Sequence, residues 1–90
     1  MPACDITIIN KLGLHARAAA KFVGVANRFP CDIRVGRDPG SLVDGKGIMA
    51  VMMLAASKGT TLHLCTQGEQ EDEALAALIA LIEDYFEEGE

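Results

Sequence analysis

A histidine followed two positions later by an arginine, His15 and Arg17, stands between the pair Gly13-Leu14 and an alanine-rich run, in the stretch NKLGLHARAAAKFV at residues 10–23. If a helix begins at Ala16, His15 occupies its N-cap or the position just before it. Unpaired backbone N–H groups and the positive end of the helix dipole gather there. Such a place receives an anion. It disfavours an imidazolium and so leaves a neutral, nucleophilic ring. Arg17 adds a permanently charged fork of donors whose shape suits phosphate. A neutral histidine that becomes dianionic on modification would find compensation already in place, which is the chemistry of a phosphoryl acceptor. From the residues alone, a histidine that merely caps a helix stays open beside it.

The other reactive side chains assemble into nothing comparable. Cys4, Cys31, Cys65 and His63 are metal-ligand types, but strand parity divides them. If Ile6, Ile8, Ile33 and Val35 face a core, Cys4 and Cys31 do too; if Leu62 and Leu64 face it, His63 and Cys65 face solvent. Residues on opposite faces of one sheet cannot share a tetrahedral site. We therefore expect no metal and no cofactor, and read His63 as a solvent-facing strand residue. Ser41 and Ser57 have no His/Asp partners to argue for, and Gly45-Lys46-Gly47 is too short to cradle a nucleotide.

The whole chain bounds the reading. Ninety residues suit one small domain, 1–90, with a modest core. Apolar residues make up 50% and aromatics 4%, with no tryptophan, so the core must be aliphatic and methionine-rich. The net charge of −5 argues against nucleic acid as a partner. It hides a local polarity, because residues 10–28 carry +4 (Lys11, Arg17, Lys21, Arg28) and residues 69–90 carry −9. The acidic end reads as a solvated helix face, with residues 87–90 solubilising the terminus; the basic patch around His15 runs against the global sign. No apolar run approaches a membrane span, the N-terminal residues lack the pattern of a signal peptide, and three widely spaced cysteines do not make a disulfide framework. A cytoplasmic protein is expected.

The elements that must position the histidine follow from periodicity. Residues 4–8 alternate and are β-branched, a strand; residues 10–14 form a loop. A helix is predicted over 16–28, burying Ala19, Phe22, Val23 and Ala26 and stopping at Pro30. A strand at 31–35, the turn RDPGS at 37–41 and a short returning edge strand at 41–44 make a hairpin. A second helix is predicted over 48–57, ended by Lys58-Gly59. A strand follows at 60–66, then a helix over 69–86 with acids in its first turn and a buried stripe of Ala74, Leu75, Leu78, Ile82 and either Tyr85 or Phe86. The order is β-α-β-β-α-β-α. Amphipathic strands with one polar face imply an α+β fold of two layers, an antiparallel sheet with helices on one side.

Two ordered segments carry a resemblance over nearly the whole chain. GLHAR at 13–17 and GIMAVMMLAASKG at 47–59 resemble the two signatures of the HPr family, the histidine-containing phosphocarriers of the bacterial phosphoenolpyruvate-dependent phosphotransferase system. The resemblance implies an open-faced β-sandwich, four antiparallel strands covered on one face by three helices. It implies a carrier rather than an enzyme: His15 accepts a phosphoryl group at Nδ1 from phosphorylated Enzyme I and passes it to a histidine of an EIIA-type protein, with Arg17 stabilising the phosphohistidine. It also implies a docking surface beside His15. Ala16, Ala20 and Gly24 make a smooth face of the first helix. Ile48, Met49 and Met52 point outward from the second while Val51 and Leu54 turn in; Met53 is assigned to neither side. Lys21 and Lys46 flank the patch and steer acidic partners. A monomer is expected.

Two departures stand out. Ala18 follows the arginine where many members have proline, and Gly47 stands where many carry a regulatory serine, so no phosphosite is expected there. Two other readings are a nitrogen-branch or regulatory carrier, and a docking module on the same fold that is not phosphorylated.

Overall fold

A computed structural model describes residues 2–87. Residues 88–90, the end of the acidic tail, lie outside the described residues. The elements are β1 (Ala3–Thr7), α1 (Ala16–Ala26), β2 (Asp32–Gly36), β3 (Val43–Asp44), α2 (Ile48–Met52), β4 (Thr61–Gln67), α3 (Glu71–Glu83) and a closing 3-10 turn, Tyr85–Glu87. The strands form one antiparallel sheet in the order β1-β4-β2-β3. The expected α+β open-faced sandwich is thus the observed one.

Alternation along the strands sets the two faces. Ile6, Ile33, Val35, Leu62 and Leu64 point into the core, where they meet Phe22 and Ala26 of α1, Val51 of α2, and Ala74, Leu78 and Ile82 of α3. Asp5, Thr7, Asp32, Arg34, His63 and Cys65 hold the alternate positions and form the uncovered face. The register seats Asp5 opposite His63, and their side chains pair. Cys65 lies opposite Ala3 and Arg34, whereas Cys31 is buried, so these thiols sit on different sides of the sheet.

Helix α1 has the predicted buried face at Ala19, Phe22 and Ala26; Ala18 joins it and Val23 is only half-buried. It ends two residues sooner than its periodicity suggests, because Asn27 closes it, donating from Nδ2 to the Val23 carbonyl at 2.9 Å. Gly24, inside this helix, has open space where a Cβ would be. Gly24→Ala is expected to stabilise the fold by roughly 0.5–1 kcal/mol, read as a shift of the urea midpoint, because alanine loses less backbone entropy in a helix.

The second helix needs correction. It runs only over Ile48–Met52, not to residue 57. Leu54 and Ala55 donate to the carbonyls of Val51 and Met52, a tightening turn, and Ala55 then enters the left-handed region at φ 51°. Leucine and alanine are good helix formers, so propensity favours continuation. Tertiary contact outweighs propensity here: past the turn, the Ala56 carbonyl accepts the Leu14 N–H at 2.7 Å.

The edge strand is likewise shorter than 41–44, and α3 begins at Glu71 and ends at Glu83 rather than spanning 69–86. Tyr85, Phe86 and Glu87 all have positive φ. That bend buries Phe86 completely and leaves Tyr85 exposed. Leu81 adds to the predicted stripe, and Leu75 lies at its half-buried edge. Among the described residues no helix is long and apolar enough to cross a membrane.

Candidate functional site

The loop before α1 is built by its own backbone and by one buried side chain. Gly13 donates to the Asn10 carbonyl at 3.2 Å, and Asn10 Nδ2 returns a bond to the Gly13 carbonyl at 2.8 Å. Asn10 is fully buried, an unusual place for an asparagine. Gly13 takes φ +68°, a conformation that glycine adopts without strain. Leu14 is buried and anchors the loop through its N–H to Ala56. Past β1, Ile8 donates to the Thr60 carbonyl at 2.9 Å and accepts from Gly59 at 2.8 Å. The loop is therefore tied to residues 56–60 at both of its ends.

This places His15 as the N-cap of α1, with extended backbone at φ −78° and ψ 179°. Its carbonyl accepts the Ala19 N–H at 2.8 Å, the first helical bond, and its Nδ1 accepts the Arg17 N–H at 3.3 Å. Nδ1 thus presents a lone pair to the first turn, where backbone donors cluster. Arg17 is exposed on that turn. Alanine at 18 sits fully buried within the helix, so the missing proline does not unravel it.

Exposed residues lie on both helices next to this loop. Ala16, Ala20 and Gly24 lie on the exposed face of α1. Helix α2 packs against α1, and the segment that follows it holds Leu14 through the Ala56 carbonyl. On it Ile48, Met49 and Met52 are exposed, Val51 is buried and Leu54 half-buried. Two further apolar residues that sequence reasoning did not single out are also exposed: Leu12, at 68%, and Met53, at 79%. A leucine inside a polar loop is the clue for the first. For Met53 the clue lies in where α2 ends, which propensity does not reveal.

The two lysines do more than flank. Lys21 Nζ donates to the Phe86 carbonyl at 2.8 Å, and Lys46 Nζ to the Phe29 carbonyl at 2.6 Å. Each ties two elements together through a partly buried stem. Gly47 caps α2 by backbone alone; a Cβ there would meet Ala50 Cβ and the Asp44 carbonyl at an ordinary 3.8 Å, so a serine would fit and only its hydroxyl is missing. Among the described residues no group of three or more His, Cys, Asp or Glu side chains is placed to hold a metal ion.

The sequence and fold were compared with known proteins. The family described as "PTS HPr component phosphorylation site" matches residues 3–84. The phosphocarrier protein HPr of Pseudomonas aeruginosa is 77% identical over 100% of both chains. The crystal structure of HPr-C-His from Thermoanaerobacter tengcongensis superposes with a TM-score of 0.91 at 43% identity, covering 98% of each chain. The Bacillus subtilis protein Crh, whose structure is described as a domain-swapped dimer, gives a TM-score of 0.72 at 43% identity, covering 93% of this chain and 95% of its own. With a histidine capping the first helix of an open-faced sandwich and the family's phosphorylation-site pattern spanning the fold, the chain belongs to the HPr family, the phosphocarriers of the phosphotransferase system.

Proposed function

We propose that His15 is the phosphoryl acceptor and that the protein relays phosphate from Enzyme I to an EIIA-type protein. One observation carries this reading: Nδ1 of His15 accepts a backbone N–H at the start of an eleven-residue helix. The lone pair that takes this bond is the one that would attack phosphorus. As the new N–P bond forms, the bond to the donor's histidine breaks and its electron pair stays on the departing imidazole. Phosphoryl oxygens arriving at Nδ1 enter the region of the helix-start N–H groups and the Arg17 guanidinium, which offset their charge. The carrier contributes positioning and electrostatics, and the partner supplies the rest of the site. It is a reactant in the relay and not itself an enzyme.

The docking surface is Ala16, Ala20 and Gly24 on α1 with Ile48, Met49 and Met52 on α2, extended by Leu12 and Met53. Small residues let a partner helix approach, and methionines adapt to a donor and an acceptor in turn. Lys21 keeps a place at the edge of this patch. Gly47 offers no hydroxyl, so serine-kinase control at that position is absent in this reading. The protein acts as a monomer in the cytoplasm, in sugar uptake or its regulation.

The test is intact mass after incubation with phosphoenolpyruvate and Enzyme I. The expected product carries one phosphoryl group, lost in acid and passed on when an EIIA-type protein is added. A mass unchanged by a cognate Enzyme I would leave a docking module on the same fold.

A further inference from the structure

The chain contains four methionines, and three of them occupy Met49, Met52 and Met53. All three are exposed, at 69%, 40% and 79%. Contrary to the expectation of a methionine-rich core, no methionine is among its buried residues; it is built from Ile, Leu, Val, Ala, Phe and one cysteine. Thioethers are therefore not used here as flexible core filler, their common role. They are gathered on α2 and its C-cap, just before the segment whose Ala56 carbonyl holds the loop leading to His15.

An exposed thioether is a target for two-electron oxidants. With hydrogen peroxide, sulfur gains one oxygen, the O–O bond breaks and water leaves. The product is polar and chiral; sulfoxide reductases return it to methionine with two electrons from a dithiol that becomes a disulfide, the oxygen leaving as water. Oxidation here would alter the apolar surface a partner must bury and leave the core intact, since Val51 rather than any methionine anchors α2. A partner surface matched to thioethers would have to strip water from sulfoxide oxygens without replacing their hydrogen bonds. The cysteines are less accessible: Cys31 is buried and Cys4 and Cys65 are half-buried.

We propose that Met49, Met52 and Met53 form a reversible oxidation site, at which a peroxide weakens docking of the phosphoryl donor and a sulfoxide reductase restores it. This rests on the docking surface proposed above.

The experiment treats the full chain with hydrogen peroxide, then with dithiothreitol to reset thiols, and maps sulfoxides by peptide mass spectrometry. Phosphoryl transfer from Enzyme I is measured on untreated, oxidised and reductase-repaired samples. Met53 and Met49 are expected to oxidise before Met52. Enzyme I's KM for the oxidised carrier should rise about tenfold with kcat little changed, since binding and not chemistry is impaired. Thermal unfolding should stay where it was, and the reductases should restore KM. In a variant with M49L, M52L and M53L, the ratio of treated to untreated transfer should stay at one. An unchanged KM after full oxidation overturns the inference, as does an equal loss in the leucine variant or a loss that accompanies unfolding. If the untreated protein accepts no phosphoryl group, the acceptor reading itself fails and takes this inference with it.

Discussion

His15→Ala is expected to take up no phosphoryl group under conditions that load one onto the wild type. The chain has two histidines, and they sit in opposite layers. His63 lies on β4, on the uncovered face of the sheet, its Nδ1 engaged by Asp5. It is away from the helix-start donors of α1, so His63→Ala should still load fully. The stability cost of His15→Ala should be small, about 0.5 kcal/mol, because its cap bond of 3.3 Å is long and the range for a lost cap is about 0.5–2 kcal/mol. His15→Asn separates the two roles. Asparagine is among the strongest N-caps, so this variant should match or exceed wild-type stability in urea and still take up nothing. Phosphoryl uptake by either His15 variant, measured by intact mass, would sink the assignment.

The parts of the fold that could be read from sequence are those where a local pattern and the tertiary structure agree. Alternation at Ile6, Ile33, Val35, Leu62 and Leu64 decides which face of each strand is buried, and the observed sheet follows it. His15 is legible because an N-cap is a local event: a turn glycine, a capping side chain and a run of alanines suffice. Where a distant contact decides, the pattern misleads. Nothing local distinguishes Ala55 from a helix interior, yet it turns left-handed and the next residue pairs with Leu14 across the fold. The same holds for the bend at Tyr85 and Phe86. Lys21 and Lys46 look like surface charges, yet each ammonium donates to the carbonyl of a residue on another segment. Asn10 is the clearest case. An asparagine near a glycine reads as an exposed turn, but here it is buried and braces the loop that carries the histidine.

That bracing makes Gly13→Ala the most damaging single change expected outside the core. Two penalties add. A non-glycine residue at φ +68° costs about 1–2 kcal/mol. The new Cβ would also lie 2.6 Å from the Ala56 carbonyl oxygen and 2.8 Å from Ser57 Cα, both backbone atoms with no rotamer to yield. Relief requires the loop to move off residues 56–57, which breaks the 2.7 Å bond between Leu14 N–H and the Ala56 carbonyl; a buried donor left without its acceptor costs about 1–3 kcal/mol. The sum is roughly 2–5 kcal/mol, a fall in Tm of roughly 8–40 °C for a domain of this size. Function should fall further than stability, because the displaced residues run directly into His15, and a misplacement of about 1 Å at a reacting group can slow a reaction about a hundredfold. Gly59→Ala is the control. It has φ +94° but nothing within 4 Å of a Cβ, so it carries the conformational penalty without the clash. Its expected loss is about 1 kcal/mol with phosphoryl uptake at the wild-type rate. If the two variants lost stability and uptake equally, left-handed strain alone would account for both, and the contact with Ala56 could not be what holds the histidine in place.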